Sequence, residues 1–354
     1  MKGDTFRVGI IGCGLIGNKR AKVIRDDPTC CLQAACDVVV SNAGSIAKAY
    51  GDGRVCVYDD WRLMLDRENL DIVVVSTPNN VLNPITSYAA EKKSHVLCEK
   101  PLGRNAGESE NMVRVAEGNG VVLKTGFNHR YHPAIFRAHQ SVEEGVIGKV
   151  YFSRCIYGHG GRPGYEKEWR ANKEICGGGE LLDQGVHVVD LFRWFMGDFE
   201  EASGYTPTCY WGTEVEDNAF AFFRTAKGQI ASMHTSWTQW KNRFTFEIFG
   251  EAGYLIIDGL GGSYGQETLK IGKRKKAQGK EEQGEYAGGA PDEETVVFDG
   301  PDTSWEEEWR DFLTEIREGR ESLGNGRDGL EANRMIEAVY RSAKKGQPVK
   351  IRKA

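Results

Sequence analysis

The stretch RVGIIGCGLIGNKRAKVIRD, residues 7–26, joins an apolar run, a glycine-rich turn and a helical pattern. RVGIIG is short and apolar, as a buried strand is, and LIGNKRAKVIRD has the periodicity of a helix. The turn between them fits the pattern G-x-G-x-x-G, which after a strand and before a helix predicts a dinucleotide-binding unit. The turn positions that we expect to contact a dinucleotide are Gly12, Gly14, Leu15, Ile16 and Gly17.

The rest of the first 126 residues repeats this alternation of short apolar runs and helical segments. Further strands are expected at 31–37, 71–76, 95–99 and 121–126, with a weaker one at 55–58. Strands that alternate with helices form a parallel sheet covered on both faces. The sequence therefore predicts an N-terminal Rossmann domain with a doubly wound parallel sheet over residues 1–126.

Residues 127–354 have a different sequence pattern, which predicts a second, α+β domain for substrate binding and oligomerisation. The segments 149–158, 219–237 and 244–259 alternate aromatic or β-branched residues with polar ones, and glycines punctuate them as hairpin turns would. This indicates a large, mostly antiparallel open sheet. The polar stretch 273–296 is interpreted as an exposed, mobile loop. Helices are expected at 304–319 and 329–346, and these are candidates for packing back on the first domain.

Composition excludes several classes of protein. The chain has 354 residues and a net charge of −5, and its charges of both signs are interspersed, so nucleic acid is not an expected partner. Nothing approaches the ~18–20 apolar residues of a membrane helix. The first residues lack a signal-peptide pattern, and the nine cysteines contain no C-x-x-C pair. We therefore expect reduced thiols and a cytoplasmic location.

The end of the second strand bears on the choice of cofactor. Asp37 lies 20 residues after Gly17, where an acid would hold the adenosine ribose hydroxyls. A carboxylate there repels a 2′-phosphate, and Val38, Val39 and Val40 offer no arginine to receive one. The expected cofactor is therefore NAD, with NADP the less favoured alternative.

Polar residues follow the later strands at the sheet edge where ligands bind. Thr77 and Asn79 follow the fourth strand and are candidate cofactor contacts, although Pro-Asn is also a common turn. The fifth strand ends in Glu99-Lys100-Pro101, in which Glu99 is a further candidate cofactor contact and a cis Lys–Pro bond is allowed. Lys100 would point into the crevice, where an ammonium group can polarise a hydroxyl or a carbonyl.

A second motif, GGGELLDQGVHVVD at residues 177–190, carries three polar groups at helical spacing. If the segment is helical, Asp183, His187 and Asp190 lie on one face. A metal site is not expected, because no nearby cluster completes a coordination shell. A structural helix is the second interpretation. The favoured one is acid–base chemistry, with the three glycines letting the backbone pass close to cofactor and substrate.

Two further segments supply candidate contacts between the domains. GFNHRYHP, residues 126–133, leaves the sixth strand, so Asn128 could reach the cofactor and Arg130 a substrate oxygen, while its two histidines are interpreted as surface or packing residues. Trp169-Arg170 precedes the glycine run. Its loop is cationic and could receive a phosphate or carboxylate, or could simply be solvated.

Taken together, these motifs resemble the Gfo/Idh/MocA family, the glucose–fructose oxidoreductase and inositol dehydrogenase-like enzymes. The resemblance spans the chain from Arg7 to the last helix. It implies a Rossmann domain, a second domain whose open sheet packs against another subunit in a homodimer or homotetramer, and a Trp-Arg pair near nicotinamide and substrate. Many members have a histidine where this chain has Leu82. The catalytic group implied by the resemblance is Lys100, Asp183 and His187.

The expected function is oxidation of a secondary hydroxyl of a sugar, glycoside, cyclitol or sugar nucleotide to a ketone with NAD, or the reverse. His187 could take the hydroxyl proton, Asp183 could orient the substrate or the imidazole, and Lys100 could stabilise the alkoxide. Whether Lys100 or His187 is the formal base stays open. A keto-sugar reductase of a biosynthetic route and a non-catalytic NAD-binding regulatory protein are the alternatives.

Overall fold

The computed structural model describes residues 5–274 and 291–352. Its first sheet has six parallel strands in the order β3-β2-β1-β4-β5-β6. This order reverses direction beside β1, and open α/β sheets bind ligands at such a switch point. The Rossmann-type sheet predicted from the sequence is confirmed. Its strands are β1 (Phe6–Ile11), β2 (Cys30–Cys36), β3 (Cys56–Tyr58), β4 (Ile72–Val75), β5 (His95–Cys98) and β6 (Leu123–Thr125).

Helices cover both faces of this sheet, because each crossover returns the chain to begin the next parallel strand. The first helix occupies the range that its periodicity predicts. The helices are α1 (Leu15–Asp26), α2 (Val40–Tyr50), α3 (Trp61–Arg67), α4 (Asn79–Glu91) and α5 (Ala106–Asn119).

The glycine turn between β1 and α1 is packed too closely for side chains at two positions. A Cβ on Gly12, whose φ is +91°, would lie 2.4 Å from the carbonyl oxygen of Ser76. A Cβ on Gly17 would lie 2.1 Å from the carbonyl oxygen of Gly12. Gly14, in contrast, faces open space. The first and third glycines thus serve the packing of strand, turn and helix, while the second leaves room for a ligand.

The second sheet has nine strands in the order β14-β13-β12-β11-β7-β10-β9-β8-β15. All neighbours are antiparallel except β7 and β10, so the predicted mostly antiparallel sheet is confirmed. The strands are β7 (Val150–Gly158), β8 (Phe199–Tyr205), β9 (Asn218–Thr225), β10 (Ile230–Ser236), β11 (Arg243–Gly250), β12 (Gly253–Asp258), β13 (Glu267–Lys273), β14 (Asp292–Phe298) and β15 (Val349–Lys350).

One face of this sheet forms the larger core, and the other is open. Phe223, Phe246 and Leu255 are buried on the inner face. Side chains alternate along each strand, so their neighbours Phe220 and Phe222 point outward and are exposed. The remaining helices are α6 (Pro133–Glu143), α7 (Lys173–Cys176), α8 (Glu180–Asp183), α9 (Gly185–Met196), α10 (Ser304–Glu318) and α11 (Gly326–Lys345).

Two local expectations are wrong in part. The predicted loop over 273–296 lies outside the described residues from 275 to 290, but its end is strand β14, which pairs with β13. The segment 180–196 is two helices, because the helix breaks at Gln184 between α8 and α9. Asp183 therefore ends one helix and His187 lies near the start of the next.

The two helices near the end of the chain connect both parts of the fold. Trp309, Phe312 and Leu313 of α10 belong to the core of the first sheet, whereas Met335 and Val339 of α11 belong to the core of the second. Within the described ranges, no helix is long and apolar enough to cross a membrane.

A buried ion network joins α10 to the first domain. The guanidinium of Arg20 on α1 lies 2.6 Å from a carboxylate oxygen of Glu99 and 2.6 Å from one of Glu308. Arg20 and Glu308 are almost fully buried, so each charge depends on its partners for the solvation that water would otherwise supply.

Replacing Glu308 with alanine should destabilise the protein far more than replacing its exposed neighbour Glu307. The first change leaves the buried Arg20 one carboxylate short, and we expect the free energy of unfolding to fall by about 3 kcal/mol. Glu307 pairs with Arg310 at the surface, so its loss should cost about 0.5 kcal/mol or less. Urea denaturation of both variants measures the difference, and equal losses would contradict a stabilising role of the network.

Candidate active site

The centre of the site is an ion pair between the two parts of the chain. Lys100 follows β5 at the carboxyl edge of the first sheet, and Asp183 ends α8. The Lys100 Nζ atom donates to the Asp183 carboxylate at 2.8 Å and to its main-chain carbonyl oxygen at 2.6 Å. Both side chains are about 20% exposed, which leaves them open to a ligand. The peptide bond between Lys100 and Pro101 is cis.

The glycine run before Asp183 permits close packing against protein. A Cβ on Gly177, whose φ is +84°, would lie 2.6 Å from the Cβ atom of Arg104. A Cβ on Gly178 would meet the hydroxyl of Tyr340 at 2.2 Å, and one on Gly179 the carbonyl oxygen of Glu216 at 1.9 Å. That the run also passes close to cofactor and substrate stays a prediction. The glycines let α8 reach Lys100.

Glu216 fixes the start of α8. Its buried carboxylate accepts hydrogen bonds from the main-chain N–H groups of Gly179 and Leu181 at 3.0 and 3.1 Å and from the Tyr340 hydroxyl at 2.7 Å. These bonds satisfy N–H groups that have no partner within so short a helix. The position of Asp183 therefore depends on a residue 33 positions later in the sequence.

The second oxygen of Asp183 faces Arg170, whose Nε atom lies 3.4 Å away. Burial opposes ionisation of this carboxyl, but the charges of Lys100 and Arg170 outweigh it and hold its pKa below the usual range. Arg170 stacks on Trp169 with 4.4 Å between the guanidinium carbon and the ring centroid. The structure thus brings Asp183, Arg170 and Trp169 together beside Lys100.

The cationic loop that precedes α7 carries its own counter-charge. Glu168 lies 2.7 Å from Arg162 and 3.7 Å from Arg170. Of the basic residues of this loop, Arg162, Arg170 and Lys173, the two arginines are therefore paired with acids of the protein. A phosphate or carboxylate would have to compete with Glu168 and Asp183 for them.

His187, in the first turn of α9, is buried and neutral near pH 7. Burial lowers the pKa of its imidazole well below the ordinary value, and the charges of Lys100 and His132 lower it further. A neutral imidazole can accept a proton, so His187 is in the protonation state that a general base requires.

The carboxyl edge of the first sheet fits a dinucleotide. Asp37 lies at the end of β2, where its carboxylate accepts from the main-chain N–H groups of Cys13 and Val39 at 2.7 and 2.8 Å. The Oγ1 atom of Thr77 is buried without a hydrogen-bond partner among the described residues. Val38 and Leu15 are 87% and 77% exposed, an apolar surface beside the open space at Gly14. An adenosine with its phosphates would cover these groups.

Three other residues expected at the cofactor are held by protein partners. Asn79 donates to the carbonyl oxygen of Cys176 at 2.8 Å, and Glu99 accepts from Arg20 at 2.7 Å. Asn128 donates to the Ser304 hydroxyl at 2.9 Å. The bond of Asn79 crosses between the two domains, whereas those of Glu99 and Asn128 stay within one domain each, and all three give the side chain a packing role that the sequence did not reveal.

Arg130 differs from its expected role as a substrate contact. Its guanidinium is buried. It binds both carboxylate oxygens of Asp190, at 2.8 and 2.6 Å, and one carboxylate oxygen of Asp328, at 3.1 Å. Two carboxylates already occupy the guanidinium, which leaves it no free side for a sugar oxygen. The same contacts give Asp190 a structural role, because its bonds to Arg130 hold α9 in place.

Two further residues lie near the site: His129, which was interpreted from the sequence only as a surface or packing residue, and Glu180, which no motif marked. The ring of His129 stacks on His187 with centroids 3.6 Å apart. Glu180 is fully buried, and burial followed by the charge of Asp183 raises the pKa of its carboxyl well above the ordinary value. His129 lies in the motif GFNHRYHP, but no local pattern distinguishes a stacked histidine from a surface one. Among the described residues, no group of histidine, cysteine and acidic side chains could hold a metal ion.

Fold and site together define a two-domain protein whose first sheet has the dinucleotide-binding topology and whose Lys100 pairs with Asp183 of the second domain. Residues 6–127 match the family model of the NAD-binding Rossmann fold of the oxidoreductase family, and residues 135–256 match that of the GFO/IDH/MocA C-terminal domain. The chain belongs to the GFO/IDH/MocA family of oxidoreductases.

Curated relatives extend over different shares of the chain. Levoglucosan dehydrogenase of Pseudarthrobacter phenanthrenivorans is 30% identical over 56% of this chain and 58% of its own length. D-glucoside 3-dehydrogenase of Escherichia coli is 33% identical over 56% of each chain. Myo-inositol 2-dehydrogenase of Thermotoga maritima is 24% identical over 98% of each. The chain thus matches a little over half the length of the first two relatives and nearly all of the third.

Solved structures share the whole fold. Levoglucosan dehydrogenase in complex with NADH and levoglucosan superposes with a TM-score of 0.88 at 23% identity, covering 99% of this chain and all of the other. GenD2 from gentamicin A biosynthesis, in complex with NAD, gives a TM-score of 0.83 at 24% identity over 100% of this chain and 98% of its own. At this identity the likeness concerns the fold.

Replacing Asp37 with alanine should weaken NAD far more than NADP. The carboxylate is the group placed to hold ribose hydroxyls, and it repels a 2′-phosphate. We expect the Kd of NAD to rise at least about 10-fold relative to that of NADP, the usual value of a charged hydrogen bond. Fluorescence titration with both reduced cofactors measures the ratio. Equal losses would show that Asp37 only anchors the glycine turn.

Proposed function

We propose that this protein is an NAD-dependent dehydrogenase that oxidises a secondary hydroxyl of a sugar, glycoside or cyclitol to a ketone. The observation that carries the proposal is the Lys100–Asp183 pair, with His187 beside it, at the carboxyl edge of an NAD-binding sheet. The relatives named above act, by their names, on levoglucosan, glucosides and myo-inositol, which supports this class of substrate.

The side chains divide the chemistry between them. NAD, when bound along Gly14, Asp37 and Thr77, supplies the hydride acceptor. Neutral His187 takes the proton of the reacting hydroxyl. The Lys100 ammonium, held by Asp183, stabilises the negative charge that develops on the same oxygen. Because the protein orients both groups beforehand, little reorganisation is needed in the transition state.

The charges around the site favour a neutral polyol over a phosphorylated sugar or sugar nucleotide. Arg170 and Arg162 are paired with Asp183 and Glu168, so neither provides an unpaired cation for a phosphate. Trp169 is half-buried beside the pair and offers an aromatic surface of the kind on which a sugar ring packs.

Replacing His187 with alanine should lower kcat by about 10²–10⁴-fold, the usual contribution of a positioned base. In the wild type we expect kcat/KM to be constant near neutral pH and to fall on the acid side with a midpoint below 6.5, because the pKa of His187 is lowered and only its neutral form accepts a proton. The variant should lose this acidic limb.

A panel of neutral sugars and cyclitols, followed by NADH absorbance across pH, provides the measurement. His139, which stacks on Trp194, supplies the control variant His139→Ala, whose turnover should stay near that of the wild type. Failure of the wild type to form NADH on any substrate would favour a non-catalytic NAD-binding protein. A rate that rises only at alkaline pH would indicate a different base.

We further propose that the open face of the second sheet binds a second copy of this chain in a homodimer or homotetramer. Phe220, Phe222 and Ile230 point outward from neighbouring strands and are 41%, 59% and 38% exposed. Together with Phe152 and Tyr205 they form an apolar area of the kind that marks an interface. If two copies of the chain pack these sheet faces together about a two-fold axis, each copy covers the apolar area of the other.

The variant Phe222→Lys should shift the protein to the monomer, because two copies would each place an unpaired charge at the centre of an apolar contact. Light scattering coupled to size exclusion measures the mass. Phe136→Lys is the matched control, since Phe136 is 39% exposed on α6, a helix that packs against the sheet from the other side. A monomeric wild type would contradict the proposal.

A cytoplasmic location is also proposed, on the state of the cysteines. All nine are free thiols, including the adjacent Cys30 and Cys31. Burial raises the pKa of the Cys13, Cys36 and Cys98 thiols to about 12, which keeps them protonated and unreactive.

A further inference from the structure

The imidazole of His187 is oriented by ring contacts. Its Nδ1 atom is buried and has no hydrogen-bond partner in the described part of the chain. One face of the ring lies on His129, with centroids 3.6 Å apart and planes 14° from parallel, and Phe127 meets it edge-on at 5.9 Å. Because a catalytic histidine usually gains its orientation from a hydrogen bond at Nδ1, the stack has to supply that orientation here.

His129 is itself held at both nitrogens. Its Nδ1 atom lies 3.2 Å from the amide oxygen of Asn128, and its Nε2 atom lies 3.1 Å from the hydroxyl of Tyr157 on β7. An amide oxygen only accepts, so Nδ1 carries the proton and Nε2 accepts from the tyrosine. Asn128 in turn donates to Ser304 at the start of α10. The ring is therefore a neutral imidazole with a fixed tautomer and a fixed plane.

The surroundings keep His129 neutral when His187 gains a proton. Burial lowers the pKa of His129 well below its ordinary value, and charge on His187, His132 or Lys100 lowers it further. The remaining titratable group against it is the Tyr157 hydroxyl, whose pKa burial raises, and Phe244 of β11 closes the other side. A cationic His187 would thus lie on the face of a neutral aromatic ring, an arrangement that stabilises the cation.

We propose that His129 is a positioning residue for the reaction: its locked, neutral ring holds the imidazole of His187 in place and stabilises the imidazolium that proton transfer creates. This inference rests on the proposed function of His187 as the base. His129 is only 6% exposed, and it acts through the ring that it stacks on.

Two variants of His129 separate the contribution of its aromatic face from that of its ring nitrogens. His129→Leu keeps an apolar side chain but removes the aromatic face, and His129→Phe keeps the face. We expect the leucine variant to lose roughly 3- to 30-fold in kcat, the range of a desolvated cation–π contact, with the KM for the sugar and the Kd for NADH within about 2-fold of the wild type. The phenylalanine variant should stay within about 3-fold of the wild type in kcat.

The pH profile provides a readout that a purely structural role would not move. Without the aromatic face the imidazolium is less stable, so the acidic limb of kcat/KM should move to lower pH by about 0.5–1.5 pH units in His129→Leu and stay in place in His129→Phe. His139→Leu is the control for loss of a stacked histidine, because His139 lies on Trp194 with centroids 3.9 Å apart, and it should leave the limb unchanged.

The outcomes distinguish this inference from the proposed function. A wild type without turnover contradicts the proposed function, whereas an active wild type whose limb is unmoved in His129→Leu overturns the positioning role alone. An equal loss in the leucine and phenylalanine variants also overturns it. Should His129→Leu fail to fold, Tyr157→Phe decides: it frees Nε2 of His129, and we expect a roughly 3-fold lower kcat with unchanged KM, while an unchanged kcat overturns the inference.

Discussion

The site depends on the hydrogen-bonded ion pair between Lys100 and Asp183, because its two halves come from separate sheets. Lys100 stands at the edge of the parallel sheet, and Asp183 ends a four-residue helix attached to the other one. Such a pair forms only when the two domains lie at one particular distance. Three glycines permit that approach, since any side chain on them would collide with Arg104, Tyr340 or Glu216. Backbone packing therefore controls the position of the Asp183 carboxylate.

Buried charges fix how distant segments of the chain pack together. Arg20 and Arg130 each bind two carboxylates in the interior, and in both cases the partners come from different parts of the chain. Displacing one of these segments would leave a buried charge short of a partner, which is costly in an apolar interior. The same burial sets protonation at the site. It removes the charge of His187, while Lys100 and Arg170 keep Asp183 ionised. Near pH 7 the site thus holds an imidazole that is neutral and can accept a proton, and a carboxylate that stays ionised.

Much of the fold could be predicted from local pattern. The strand β1, the glycine turn and α1 lie where residues 7–26 indicate, and the alternating aromatic residues of β9 and β11 predict a sheet with one buried face. The pattern was misleading at residues 180–196, where one continuous helix and two successive helices fit the same spacing of residues. The spacing of Asp183 and His187 suits one continuous helix, yet the chain breaks at Gln184, because Glu216 holds the start of α8 while α9 follows the core of the second sheet. Nothing local to the motif reports a carboxylate that arrives from residue 216.

Motif spacing along a single strand, turn or helix is a local property, so the amino-acid sequence alone was sufficient to predict the NAD-binding Rossmann domain and the family of this protein. The roles of Asp37, Lys100, Asp183 and His187 stay predictions. How the polar residues between these motifs are used depends on the three-dimensional packing. Arg130, Asn128 and Glu99 have the chemistry of ligand contacts, but their hydrogen bonds go to Asp190, Ser304 and Arg20. The stacking of His129 on His187 is likewise a contact between residues distant in the chain, and no local pattern indicates it. The physical reason is that the partner of a buried polar group is whichever group the fold brings within about 3 Å, and residues far apart in the chain decide that distance.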